Sequence, residues 1–359
     1  MEIRIEPLPD ARRKAKVADP AALGFGRVFT DRMLTAHWEP SRGWHEARIE
    51  PYGPICLEPS ASVFHYGQEI FEGLKAYRWA DGSVALFRPA MNWARMNRSA
   101  ARLALPEVPE QLFLDGIAEL VRLDRDWVPA AEGTSLYVRP TLFGEEPFLG
   151  VRPAERCRFF VILSPVGAYY ASGFAPVRIL VEDHYVRAAP GGTGMAKAGG
   201  NYAASLVAGL KAKERGYDQV LWLDATERRW VEEVGAMNIF FVVDGRLVTP
   251  PITDSFLAGV TRDSILRLAP TLGLEAEERP VAISDLLADL RSGRVSEAFG
   301  TGTAAVVSPV GALGYKDDEV SVGDGGVGPV TRRLYDTLTG IQYGRIPDPF
   351  GWTQRVWPA

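Results

Sequence analysis

Gly194-Met195-Ala196-Lys197-Ala198-Gly199-Gly200-Asn201-Tyr202 is the stretch on which the reading of this chain turns. Glycines on both sides let backbone approach a ligand closely, and one lysine stands among them. For a lone lysine beside glycines the ordinary reading is a solvated loop residue. A phosphate-loop reading fails, because that motif needs Gly-Lys followed by Ser or Thr, and Ala198 follows Lys197. The company it keeps lifts Lys197 above the ordinary reading. Tyr202 follows in the same segment, and the carboxylate pair Glu232-Glu233 opens a strand expected over Val234–Phe240. Gly259-Val260-Thr261 stands at the start of an expected helix, where amides and the helix dipole attract an anion. Gly300-Thr301-Gly302-Thr303-Ala304 is a second segment able to cradle phosphate. Through Ala305 it also reads G-x-G-x-x-A, a dinucleotide fingerprint. Pro309 follows closely and no helix opens there, as that fingerprint requires.

Outward from this stretch, both halves of the chain mix strand and helix signals. Towards the N-terminus, strands are expected at Ala47–Ile49 and Ser62–Tyr66, and a hairpin over Phe71–Phe87 around Asp81-Gly82. Trp93, Met96, Ala100 and Leu103 recur at helical spacing until Pro106, and a second helix is expected over Leu112–Val121. Strands follow at Leu136–Arg139 and Phe159–Leu163. Beyond a Gly/Ala/Tyr/Pro connection come strands at Val177–Val181, Gln219–Leu223 and Met237–Val243. Helices are expected over Tyr202–Arg215, Arg262–Leu272 and, as the last one, Ile283–Leu290. The fold class is therefore α/β (α+β mixed). The expected division is a small N-terminal domain over 1–166, a linker over 167–177, and a larger domain over 178–359 carrying Lys197.

Composition bounds the function. A chain of 359 residues suits two ordinary domains. Its 47% hydrophobic and 24% charged residues are the profile of a soluble globular protein. A net charge of −5 argues against nucleic-acid binding. No run of about 18 apolar residues offers a membrane span, and the N-terminus lacks a signal peptide's apolar stretch; a cytoplasmic location is expected. Cys56 and Cys157 are too few for a disulfide framework and read as small buried hydrophobes. The four histidines, His37, His45, His65 and His184, show no metal spacing, and no metal is expected.

Tyr66-Gly67-Gln68 with Phe71-Glu72-Gly73, Ser135 to Pro140, Lys197 to Tyr202, and Glu233-Val234-Gly235 with Met237-Asn238 resemble the branched-chain amino acid aminotransferases. So do Phe299 to Ala304 and Gln342-Tyr343-Gly344. The motifs keep the family's order from about Phe25 to about Gly344, and the ordered set is far more specific than any one of them. The resemblance implies the two-domain fold-type IV architecture and pyridoxal 5'-phosphate as cofactor. It also implies a ping-pong reaction between leucine, isoleucine or valine and 2-oxoglutarate, with glutamate and 2-oxo acids as the other partners, and a homodimer or higher assembly.

The resemblance also assigns roles. Lys197 holds the cofactor aldehyde as a Schiff base and then carries the substrate's α-proton. Glu233 faces the ring nitrogen, while strand alternation turns Glu232 to the other side. Tyr202 bonds the phenolic oxygen. Arg95 is the phosphate arginine, joined by backbone amides of Val260, Thr261 and Thr303, and Arg187 is a second arginine on the cofactor side. Phe25, Tyr66, Phe71, Tyr137 and Tyr169 line the substrate pocket, and Ala304 offers its amide to the α-carboxylate. Arg139 shares a strand face with Tyr137 and is nominated for glutamate's second carboxylate. Two departures stand out. A Cys-x-x-Cys pair found in some members is Ala305 and Ser308 here, and a threonine of some members is Ala236. D-amino-acid aminotransferase and aminodeoxychorismate lyase remain alternatives within the fold. A nicotinamide dehydrogenase and a non-catalytic binding module are the alternatives from other classes.

Overall fold

The computed structural model describes residues 1–17, 19–167 and 174–358. The chain divides into two compact units. One is Met1–Tyr169 with Ala196–Gly199 and Gly340–Ala359; the other is Tyr170–Met195 with Gly200–Thr339. Both mix strands and helices, which makes the class α/β (α+β mixed), as the sequence pattern implied.

The first unit begins with β1 (Arg4–Ile5), β2 (Arg32–Glu39), β3 (Gly43–Pro51), α1 (Ser62–Tyr66) and β4 (Glu69–Phe71). It continues with β5 (Leu74–Arg78), β6 (Val84–Phe87), α2 (Pro89–Arg102), α3 (Glu110–Leu123), β7 (Ser135–Gly144) and β8 (Cys157–Val166). Then come β9 (Val177–Glu182), α4 (Gly199–Ala203), α5 (Leu206–Glu214), β10 (Gln219–Leu223), β11 (Val231–Val234) and β12 (Met237–Val243). After β13 (Arg246–Thr249), α6 (Val260–Leu268), β14 (Ala276–Glu278) and α7 (Ile283–Ser292) come β15 (Val295–Gly302), β16 (Val306–Tyr315), β17 (Asp318–Ser321) and α8 (Pro329–Gln342). The last strand, β18 (Thr353–Trp357), belongs to the first unit.

In the first unit the strands lie in the order β1-β3-β2-β8-β7-β5-β6-β18, with β4 beside β7. Alternation along β7 sorts its side chains. Leu136, Val138 and Leu142 join a core with Met96 and Ala100 of α2 and Phe113, Ile117 and Leu120 of α3. Tyr137 and Arg139 therefore stand on the opposite face. In the second unit the order is β11-β10-β9-β16-β15-β12-β13-β14, and an added β11–β12 pairing closes six of these strands into a ring. Residues such as Ile179, Leu221, Ile239, Phe241 and Leu313 belong to its core.

Several expectations give way to tertiary context. Ser62–Tyr66 alternates like a strand but forms one helical turn. Ser62 is anchored by its amide on the Glu146 carbonyl and by its hydroxyl on Gly144, and Gly67 closes the turn at φ +56°. The strand expected to follow Glu232-Glu233 is two strands, because Gly235 turns the chain at φ +58°. The helix expected over Arg262–Leu272 is α6 plus a 3-10 turn over Ala269–Leu272, and α8 follows the helix read as last. Residues 196–199 and 340–359, expected with the second domain, pack with the first unit through pairings of Ala198 with Ile70 and of β18 with β6. The 167–177 connection falls mostly on residues 168–173, outside the described residues. Cys157 is buried as expected, and burial foremost pushes its thiol up to about 12. Cys56, by contrast, is exposed.

Candidate active site

Lys197 owes its orientation to its neighbours. Ala196 and Ala198 are buried in the first unit's core, so alternation turns Lys197 the other way. The segment runs beside β4: the Phe71 amide donates to the Lys197 carbonyl at 2.9 Å, and Ile70 bridges Ala198. The Lys197 amide in turn donates to Ser99 Oγ at 2.9 Å. Its side-chain Nζ then lies 4.9 Å from the centroid of the Phe71 ring.

Below this segment is a carboxylate that the sequence reading passed over. Glu72 is wholly buried and accepts from Arg95 Nε at 2.7 Å, Arg95 Nη2 at 2.9 Å and Asn92 Nδ2 at 2.7 Å. Burial, the largest influence, pushes its carboxyl up. The charge and hydrogen bonds of Arg95, with Lys197 and Asn92, more than offset this and hold it below the usual carboxylate range. Asn92, Arg95 and Ser99 sit at helical spacing on one face of α2, so one helix fixes both the arginine and the lysine's backbone. The helical spacing of Ser99 from Arg95 was a readable signal; the Glu72–Arg95 pair, far apart in sequence, had none.

The proposed pocket residues of this unit meet only in part. Arg139 stacks over Phe71 and Tyr137, at 4.6 and 5.2 Å from their centroids, and its Nη2 donates to the Tyr137 hydroxyl at 3.0 Å. Phe25 meets Tyr137 edge-on at 5.0 Å. Gly73 must lack a side chain, since a Cβ there would lie 2.0 Å from the Tyr137 hydroxyl oxygen. Tyr66 stands apart: it is 42% exposed and its hydroxyl donates to the Leu149 carbonyl. Tyr169 lies outside the described residues.

In the second unit Arg187 Nε pairs with Glu233 Oε2 at 2.8 Å. Its Nη2 donates to the carbonyls of Ser255, at 3.0 Å, and Gly194, at 3.3 Å. Asn238 Nδ2 donates to Glu233 Oε1 at 3.2 Å and to the Leu257 carbonyl at 2.9 Å. Glu232 does not lie on a separate face as alternation suggested. Leu221 pairs with Val234 and Leu223 with Val231, so β11 carries one extra residue, a bulge that re-aims side chains. Both carboxylates consequently reach the Arg187–Ser255 cluster, with Ser255 Oγ donating to Glu232. Burial foremost raises the Glu232 carboxyl; Ser255 and Arg187 oppose this, while Glu233 and Asp224 add to it.

Val260 and Thr261 are buried in the first turn of α6, which opens at Gly259 without a capping side chain. Thr303 and Ala304 occupy the turn between β15 and β16, and Tyr202 is half-buried in α4. Each unit carries groups of the kind that pyridoxal phosphate requires. The first unit offers an amine and a fixed arginine; the second offers an arginine-paired carboxylate and a helix N-terminus for an anion.

The model of the Amino-transferase class IV family matches residues 69–313. The branched-chain-amino-acid transaminase 1 of Bacillus subtilis (strain 168) is 53% identical, over 94% of this chain and 95% of its own. The branched-chain-amino-acid aminotransferase of Mycobacterium tuberculosis (strain ATCC 25618 / H37Rv) is 51% identical, over 98% and 96%. Among solved structures, the T.th. branched-chain amino acid aminotransferase with pyridoxamine 5'-phosphate superposes with a TM-score of 0.74. It is 32% identical, over 89% of this chain and 98% of that one. Similarity of this breadth has a plain meaning: the chain belongs to the branched-chain-amino-acid aminotransferases of amino-transferase class IV.

Proposed function

We propose that this enzyme moves the amino group between leucine, isoleucine or valine and 2-oxoglutarate, with pyridoxal 5'-phosphate bound to Lys197. The observation that carries the reading is the placement of Lys197, its backbone held at both amide and carbonyl while its amine stands clear of the core. The cofactor, when bound, supplies an aldehyde that an amine can hold and a protonated ring that withdraws electrons from the substrate's α-carbon. Lys197 Nζ would take the proton from that α-carbon and pass it to the cofactor side rather than back to the same carbon. Glu233, paired with Arg187, would face the ring nitrogen and hold its proton. Arg95 and the amides of Val260, Thr261 and Thr303 hold phosphate, Arg187 supports the cofactor side, and Tyr202 bonds the phenolic oxygen. Ala304 N–H orients the α-carboxylate. Phe25, Phe71 and Tyr137 enclose the side chain, and Arg139 takes the second carboxylate of glutamate.

The test is a spectrum. Protein purified with pyridoxal phosphate is expected to be yellow, with a visible band that moves on adding leucine and returns on adding 2-oxoglutarate. A colourless protein that binds nicotinamide nucleotide instead would sink the reading.

We also propose that the enzyme is at least a homodimer. Phe64, Tyr66, Phe148, Leu149 and Val151 are 39–88% exposed in the first unit, and Tyr66 bonds Leu149, so an apolar cluster faces solvent. Sedimentation at micromolar concentration should give at least twice the 39.4 kDa chain mass.

A further inference from the structure

Use of both aliphatic and acidic substrates creates an electrostatic problem at Arg139. When the bound side chain is aliphatic, a half-buried guanidinium faces hydrocarbon, and an uncompensated charge there is costly. Arg139 donates to the Tyr137 hydroxyl and stacks on two rings, but its Nε is buried without an acceptor and it forms no ion pair among the described residues.

Glu69 is the carboxylate that answers it. The half-buried Glu69 stands on the same face of β4 as Phe71, and Phe71 pairs with Thr141, two positions along β7 from Arg139. Burial raises its carboxyl, and Arg139 is the charged group that pulls the other way. Its Oε1 is wedged against the lysine segment: a Cβ on Gly199 would lie 1.9 Å from it. Lys197 Nζ and Arg139 Cζ flank one ring, at 4.9 and 4.6 Å from the Phe71 centroid. Coulomb attraction fades slowly with distance, whereas a hydrogen bond requires contact. A carboxylate held short of contact therefore compensates a guanidinium's charge without occupying its donors.

We propose that Glu69 is a specificity-determining residue, a counter-charge that keeps Arg139 tolerable beside an aliphatic substrate yet leaves its donors for a second carboxylate. The inference rests on the reading of Arg139 as the anchor of that carboxylate.

The test uses the full chain loaded with pyridoxal phosphate and two unreactive acids, glutarate and 4-methylvalerate, whose dissociation constants are read by calorimetry. Glu69→Gln is expected to tighten glutarate and weaken 4-methylvalerate, moving their affinity ratio about five- to thirty-fold for one charge at partly screened range. KM for glutamate and for leucine should move in the same opposite directions. Glu69→Asp, which keeps the charge, should leave the ratio within about twofold, and Glu69→Ser serves as a second neutral variant should the glutamine variant not fold. In an Arg139→Met background the neutral variants should no longer change the ratio. Equal weakening of both acids, or an unchanged ratio, would overturn the proposal. So would the same shift with Arg139 absent, since Glu69 would then act on the ligand directly. If Arg139→Met alone leaves glutarate binding intact, the anchor reading itself fails, and the inference with it.

Discussion

Lys75 shows how strongly burial can shift a single residue. It is fully buried in β5, opposite Tyr137, and burial lowers its amine to about 7 from 10.5. A folded-state pKa below the unfolded one means that the folded chain gives up a proton the unfolded chain keeps. The cost to stability is complete below about pH 7 and fades as pH rises towards 10.5. By urea midpoint, Lys75→Met should therefore compare most favourably with the parent below neutral pH. The comparison should turn less favourable above it, by at most about 1.4 kcal/mol per pH unit; a difference that ignores pH would contradict this. Lys197 is argued differently, from placement. Lys197→Ala is expected to fold and to bind pyridoxal phosphate without a covalent link. Borohydride treatment followed by peptide mass mapping should tag the Lys197 peptide in the parent and none in the variant. Lys197 was legible because Ala-Lys-Ala within glycines is unusual and alternation decides where its amine goes. Glu69 and Glu72 were not legible, since their partners Arg139 and Arg95 lie far away in sequence and only strand pairing and α2 bring them close.

At the scale of elements, α2 was legible in Trp93, Met96, Ala100 and Leu103, a period that packing respects. α8 was equally legible, in Leu334, Leu338 and Ile341 at helical spacing, and was overlooked; all three are buried. The bulge in β11 could not have been read, because it is fixed by register against β10 rather than by β11's own residues. It undid the alternation expected for Glu232 and Glu233. The start of α6 depends on one glycine for a reason of space: a Cβ on Gly259 would lie 2.1 Å from Asn238 Oδ1, though its φ of −73° suits any residue. Gly259→Ala is expected to displace Asn238 from Glu233 and shift the first turn of the helix. Affinity for pyridoxal phosphate should fall about tenfold, roughly one good hydrogen bond to a charged group. Fluorescence titration of the cofactor-free chain measures it, and unchanged affinity would show that α6 does not hold the phosphate.

At the scale of the molecule, each unit's sheet has nine strands among the described residues, and the first is assembled from separate stretches of chain. Its mixed class could be read from the sequence, because strand and helix periods alternate throughout. The return of residues 340–359 could not, because pairing of β18 with β6 leaves no local pattern. Trp352 anchors that return by accepting the Arg88 amide at 2.7 Å and packing edge-on against Phe87 at 5.8 Å; Val356 enters the core. Removing residues 352–359 should expose the edge of β6, lower the melting temperature and promote aggregation on heating. A truncated chain that melts like the parent would show β18 to be dispensable.

The same β18–β6 pairing constrains how the protein is born. A ribosome delivers β6 long before β18, so for most of the time that the second unit is being synthesised the first sheet carries a bare strand edge. Vectorial synthesis, which lets many multidomain chains finish their N-terminal unit early, gives no such head start here. The nascent chain must keep that edge shielded until β18 itself has been made, after the whole second unit.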